Sequence, residues 1–100
     1  MINIKLIKTF YDKENVLELF SLEKEVALKY EPRQNMRLYL DTTKETLYVE
    51  LVEQVVYEGR DQEYGSLIVY TTCYVKLEHS EQIKSKNIEN GWELIESDNK

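Results

Sequence analysis

Residues 46–77 read TLYVELVEQVVYE (46–58), GRDQEYG (59–65) and SLIVYTTCYVKL (66–77), and this stretch decides the fold. Both outer segments alternate apolar with polar residues and are rich in Val, Ile and Tyr, which favour β-strands. The segment between them carries the Gly and Asp residues that turns use. We therefore predict a β-hairpin at the centre of a small β domain.

The alternation gives the two faces of this hairpin different roles. In the second strand the predicted core row is Leu67, Val69, Cys73, Val75 and Leu77. The opposite row carries Tyr70 and Tyr74. In the first strand the predicted core row is Leu47, Val49, Leu51, Val55 and Tyr57. Glu53 interrupts that row, which predicts a β-bulge at 52–54 that changes the register.

The N-terminal residues alternate in the same way. Apolar side chains occupy most even positions from Ile2 to Phe10, which predicts a strand over 2–11. Asp12 and Asn15 have side chains that bond their own backbone in turns. We expect this first strand to enter a hairpin.

Residues 16–31 fit two structures. As a helix over 13–30 the segment would begin with Asp12 as its N-cap, but Glu23 would fall within its apolar face. As a strand it has one mismatch, Lys24, and places four residues on one face: Leu22, Val26, Leu28 and Tyr30. We favour the strand, because two strands alone need further partners to build a core.

The remaining segments complete the domain. Pro32 breaks the chain and Asn35 tolerates a left-handed backbone. Alternation then resumes over 36–41, with a predicted core row of Met36, Leu38 and Leu40. Beyond the central hairpin, Ser80 is predicted to cap a short helix that ends at Gly91. The residues that then dock the tail on the sheet, or close it as a last strand, are Trp92, Leu94 and Ile95.

Two segments carry a resemblance to a known family. Residues 30–41 read YEPRQNMRLYLD and residues 47–58 read LYVELVEQVVYE. This order resembles small SH3-like β-barrel proteins of phages and mobile elements of low-GC Gram-positive bacteria. It covers residues 2–77 loosely, and Gln34 and Asn35 stand where the family has a Gly turn. The resemblance implies an architecture and a mobile-element setting, and it transfers no active-site residue.

The expected fold is therefore all-β, a single domain over 1–100 whose residues 97–100 fray. It is a small antiparallel SH3-like barrel or meander of about five to six strands with a short C-terminal helix. An α+β fold with a helix at 13–30 is the alternative.

Composition restricts the function. The net charge is −6, and residues 41–100 carry six basic and thirteen acidic side chains. Nucleic acids and membrane surfaces are bound through clustered Lys and Arg, so we expect neither as a direct partner. The single Cys cannot form an internal disulfide, which fits a reducing compartment. The chain shows no signal peptide or apolar span, so a soluble, cytoplasmic protein is expected.

The sequence offers little for catalysis. His79 is the only histidine, and a metal site with Glu78 and Glu81 is a minor alternative because no zinc spacing is visible. Cys73 lies in an apolar row without a basic neighbour, which favours packing over reactivity. Three glycines form no phosphate-binding loop. We therefore predict no enzyme, no catalytic residue, no metal and no cofactor.

Tyrosine is the informative feature, since eight occur in one hundred residues. The alternation places five of them on the non-core side: Tyr11, Tyr39, Tyr48, Tyr70 and Tyr74. Ordinary cross-strand pairing explains such residues, but exposed Tyr also anchors protein interfaces. We hypothesise a protein-interaction module, in its specific form a phage or mobile-element protein that modulates or inhibits a host protein. An assembly role through the Tyr-rich face is the alternative.

The predicted interface combines the Tyr face with the acidic residues of the hairpin, whose carboxylates would mimic phosphates against a basic partner. Its residues are Tyr39, Tyr48, Glu50, Glu53, Glu58, Asp61, Glu63, Tyr70 and Tyr74.

Overall fold

The computed structural model describes the backbone of residues 2–40, 44–58 and 63–95 and the side chains of residues 2–40, 44–54 and 67–95. Its elements in chain order are β1 (Ile2–Asp12), β2 (Glu18–Leu28), β3 (Arg37–Leu40), β4 (Glu45–Glu58), β5 (Glu63–Val75), a 3₁₀ turn (Leu77–His79), α1 (Ser80–Glu89) and β6 (Glu93–Leu94). The predicted fraying at 97–100 concerns residues outside this description.

The described strands form one sheet in the order β3-β4-β5-β1-β2-β6. Neighbouring strands are antiparallel except β1 and β5, which run parallel. The predicted β fold with a short C-terminal helix is confirmed. The sheet is mixed and does not close into a barrel, because β3 and β6 lie at opposite edges of the described sheet, so the meander form of the prediction fits.

Strand β2 settles the ambiguous segment. The helix over 13–30 is wrong, because residues 18–28 pair with β1 as a hairpin. Leu22 and Leu28 are buried and Val26 packs against the core, as the strand prediction required. Tyr30 is exposed, because β2 ends at Leu28. The mismatch Lys24 is accommodated because its ammonium group donates to the Asn90 carbonyl at 2.8 Å, beyond the end of α1.

One face of the sheet carries the core, and α1 and Trp92 cover it. The buried cluster contains Ile4, Leu6, Phe10, Leu22, Leu28, Leu38, Leu40, Leu47, Val49, Val69 and Trp92. Ile83 of α1 packs against this cluster, and so do Leu67, Cys73 and Val75 of β5. The core rows predicted for β1, β3 and β5 are therefore confirmed, apart from Leu77, which is exposed in the 3₁₀ turn beyond β5.

Lys8 lies in the middle of the β1 core row and is fully buried. Its ammonium group donates to Glu45 Oε2 at 2.7 Å and to Asn87 Oδ1 at 2.8 Å. It also lies 4.2 Å from the centre of the Trp92 ring. A buried ammonium group requires such partners, because its removal from water is costly. Lys8 thus ties β1 to β4, to α1 and to the segment after it.

The bulge of β4 lies three residues before its predicted position. Val49 pairs with Thr71 and Leu51 with Tyr70, so Glu50 is the extra residue, while 52–54 pair regularly with β5. Because the extra residue shifts the alternation, Leu51 is exposed and Val52 takes the core position. The prediction that Leu51 is a core residue is wrong for this reason. Val55 and Tyr57, also predicted as core, have side chains outside the described residues.

Helix α1 ends as predicted but begins differently. Gly91 has a φ of 96°, its N–H donates to the Ile88 carbonyl, and the Trp92 N–H donates to the Asn87 carbonyl. This is a Schellman motif, and it directs Trp92 back into the core. Ser80 does not cap the helix, because it is the first helical residue and its hydroxyl donates to the Leu77 carbonyl. The tail both docks Trp92 and adds β6 beside β2.

Candidate functional site

A groove crosses the face of the sheet opposite the core. It has a volume of about 640 Å³, and we call it the tyrosine groove. Its lining residues are Tyr11, Val16, Tyr48, Glu50, Thr72 and Tyr74. They come from β1, the β1–β2 loop, β4 and β5.

Strand register brings the aromatic residues together. Tyr11 of β1 is the parallel register partner of Tyr74 of β5, and their ring centres are 5.8 Å apart. Tyr48 of β4 is the partner of Thr72, two positions before Tyr74 on the same face of β5. The Tyr48 hydroxyl donates to Asn35 Oδ1 at 2.6 Å, and Asn35 has a φ of 71° in the segment before β3. The Tyr11 and Tyr74 rings are therefore neighbours, and Tyr48 lines the same groove from the adjacent strand, opposite Thr72.

Glu50, in the bulge of β4, supplies the carboxylate of the groove. Glu50 and Leu51 are both exposed between the buried Val49 and the half-buried Val52. Alternation from the buried Val49 already places residue 50 on the outer side with Tyr48, and the extra residue adds Leu51 to that side. The Thr72 hydroxyl donates to Glu50 Oε2, which ties this carboxylate to β5 within the groove.

Val16 lines the groove in an unfavourable backbone conformation. It has a φ of 55°, a left-handed conformation that a β-branched residue rarely adopts. Asp12 fixes the loop, because its carboxylate accepts from the Glu14 N–H and the Asn15 amide, and its carbonyl accepts from the Val16 N–H. The Val16 side chain is nevertheless 60% exposed, so its burial contributes little free energy to offset the backbone strain. Strain without a packing benefit is a feature of functional sites.

Acidic groups dominate the electrostatics. Glu18, the first residue of β2, is the register partner of Tyr11. The pKa of Tyr11 is raised, first by burial and then by the negative charges of Glu18 and Glu50. None of the six described lining residues is basic. The groove thus combines aromatic faces with negative charge, which suits a cationic group better than an anion.

The structure gathers three of the predicted interface residues in the groove: Tyr48, Glu50 and Tyr74. Tyr39 is exposed at the β3 edge, Glu53 is exposed further along β4, and Tyr70 is half-buried beside Leu51 and Ile7. The remaining predicted residues lie outside the described part of the chain, Asp61 entirely and Glu58 and Glu63 by their side chains.

Three lining residues were not part of the predicted interface: Tyr11, Val16 and Thr72. Thr72 could have been found, because it alternates with Tyr70 and Tyr74 on the outer face. Tyr11 was assigned to the outer side without being selected for the interface. Val16 gave no signal, because only the three-dimensional path of the loop brings it to Tyr11 and Tyr74.

Other chemical groups are placed apart from the groove. Burial raises the pKa of the Cys73 thiol to about 11, with Glu45 raising it further and Lys8 opposing the shift, so the thiol is protonated and faces the core. His79 is exposed at the start of α1. Among the described residues, no group of three His, Cys, Asp or Glu side chains is placed to hold a metal ion. The described helix is too short and too polar to cross a membrane.

Comparison of the chain with protein-family models, with curated proteins and with solved structures found no match.

Proposed function

We propose that the protein is a non-enzymatic protein-interaction module that docks a partner protein in the tyrosine groove. The observation that carries this proposal is the gathering of three Tyr side chains and one carboxylate in a groove on the face of the sheet opposite the core. Tyr is favoured in protein interfaces because it offers a large contact area with few rotatable bonds.

Exposure favours binding over simple cross-strand packing. Tyr48 is 46% exposed and Tyr74 is 58% exposed, so each ring keeps about half its surface for a further contact. Cross-strand pairing alone accounts for the Tyr11–Tyr74 contact. It does not account for the strained Val16 or for the Glu50 carboxylate that lines the groove with the rings.

The narrower form of the proposal is that the partner is a host protein and that the chain comes from a phage or mobile element. Its support is the sequence resemblance together with the acidic character of residues 41–100. Mimicry of nucleic acid would involve Glu50 and Glu53, which both lie on the outer side of β4. Reversing both charges should then weaken binding and reduce its salt dependence.

The test is quantitative capture of proteins from a bacterial lysate by the wild-type chain and by two matched variants. Tyr74→Ala removes an exposed ring from the groove, and Tyr39→Ala removes an equally exposed ring, 50% accessible, outside it. We expect Tyr74→Ala to lose a specific partner that both the wild type and Tyr39→Ala retain. Retention of every wild-type partner by Tyr74→Ala would refute the groove as the docking site.

Self-association is measured on the same variants. If the groove instead joined copies of the chain, sedimentation at micromolar concentration would show a wild-type dimer or larger species that Tyr74→Ala dissociates. A monomer in both cases leaves a different protein as the partner.

A further inference from the structure

We propose that the tyrosine groove receives an arginine side chain of the partner protein, held between the Tyr rings and the Glu50 carboxylate. This inference rests on the proposed function and specifies the chemistry that the groove recognises.

The charge of the groove selects a cation. Glu50 lines it, Glu18 lies beside Tyr11 at its β2 side, and the chain as a whole carries a charge of −6. The basic residues nearest in sequence and in register are Lys13 beside the β1–β2 turn, Lys76 two residues after Tyr74, and Arg37, the register partner of Tyr48. None of these three lines the groove. A cation over these rings gains from both the ring quadrupoles and the carboxylates.

The geometry favours a guanidinium group over other cations. Its flat face stacks on exposed aromatic rings, and it is hydrated more weakly than an ammonium group, so it loses less on leaving water. Its N–H groups are directed at carboxylate oxygens, and Thr72 holds the Glu50 carboxylate in one orientation. A quaternary ammonium group would stack on the rings but has no N–H group to donate to that carboxylate. Arginine uses both elements of the groove.

The size of the groove indicates a chain segment instead of a free amino acid. Its volume of about 640 Å³ falls in the range of roughly 300–1,000 Å³ that accommodates drug-sized ligands. The exposed side chain of Val16 at one end offers an apolar contact for a residue next to the arginine. We therefore expect an arginine with one or two neighbouring residues to fill it.

The experiment titrates the ¹⁵N-labelled protein with a capped Gly-Ser peptide that carries one central arginine. Two control peptides replace the arginine with lysine or with citrulline, which keeps the shape and removes the charge. At about 0.15 M salt, where long-range attraction is screened, we expect the amide signals of Tyr11, Glu50, Thr72 and Tyr74 to shift. The lysine peptide should bind about three- to tenfold more weakly, and citrulline should not saturate.

Two protein variants complete the design. Glu50→Gln should weaken arginine binding about two- to fivefold, the usual range for an exposed ion pair. The matched variant Glu25→Gln removes an exposed charge from β2, outside the groove, and should leave binding unchanged. Equal binding of the arginine and citrulline peptides, shifts confined to another surface, or equal effects of the two variants would overturn the inference.

These outcomes separate the inference from the proposed function. If Tyr74→Ala abolishes partner capture while the arginine peptide fails to bind, the groove docks a partner of different chemistry. If the peptide binds the groove while Tyr74→Ala captures every partner, the arginine site is real and the proposed function is wrong.

Discussion

Replacement of Lys8 by Met tests how the core of this protein accommodates a charge. The Lys8 side chain is 2% exposed, and its ammonium group contacts Asn87, Glu45 and the Trp92 ring. Methionine has a similar length and flexibility, so it fills the same space without donating a hydrogen bond. The substitution therefore removes the polar contacts while creating little cavity.

The three contacts of Lys8 differ in the free energy that their loss costs. Asn87 Oδ1 is buried and would be left without its donor, at a cost of about 1–3 kcal/mol. The Glu45 side chain is 35% exposed and regains water, so the loss of that ion pair contributes at most about 1 kcal/mol. A sulfur contact replaces part of the Trp92 interaction, and methionine avoids the desolvation of an ammonium group. We expect Lys8→Met to lower the free energy of unfolding by about 1–3 kcal/mol.

The assay is urea denaturation followed by far-ultraviolet circular dichroism, with the fluorescence of Trp92, the only Trp, as a second probe. The double variant Lys8→Met/Asn87→Leu serves as the decisive control, because it removes the orphaned acceptor as well. It should regain at least half of the loss, whereas Asn87→Leu alone should be destabilised because Lys8 then keeps one polar partner fewer.

A Lys8→Met variant as stable as the wild type, or more stable, would refute this reasoning. It would mean that the free-energy cost of desolvating the ammonium group equals or exceeds the stabilisation from its contacts.

Two further predictions concern Cys73 and Val16. The Cys73 pKa is raised from 9.0 to about 11, so at pH 8 iodoacetamide should modify the folded thiol about a hundredfold more slowly than the urea-unfolded thiol. Because the folded-state pKa is the higher one, the thiol's contribution to stability should be complete below pH 9.0 and disappear as the pH rises toward 11, measured against Cys73→Ala. Val16→Asn should leave the free energy of unfolding unchanged or raise it by up to about 1 kcal/mol, measured by thermal unfolding. The same variant should bind the arginine peptide more weakly. A large loss of stability would contradict the strain argument.

Most of the strands could be predicted because their periodicity is local. The strands β1 to β5 each place one face on the core, so the alternation of their side chains is visible directly in the sequence. Two residues of the central hairpin, Leu51 and Leu77, were wrongly predicted as core residues. The bulge at Glu50 moved Leu51 to the outer face, and β5 ended before Leu77. A single extra residue reverses every later side chain, and alternation does not fix where that residue enters.

Only three of the six residues that line the groove could be selected from the sequence, and the reason again concerns strand pairing. Tyr48, Glu50 and Tyr74 could be selected as outward residues of one hairpin, since their pairing is antiparallel and close in sequence. Tyr11 joins them through the parallel pairing of β1 with β5, whose partners lie 63 positions apart. Nothing in the local pattern of either strand selects the other as its neighbour.

The amino-acid sequence by itself determined which segments are strands, which of their faces is apolar, and that the helix ends at Gly91. These features depend on side-chain period and on backbone preferences of single residues. The tertiary structure decided the order of the strands, the burial of Lys8 and the assembly of the tyrosine groove. Each of these depends on contacts between segments that are distant in the sequence. Lys8 can be buried only because the folded chain places Glu45, Asn87 and the Trp92 ring around its ammonium group.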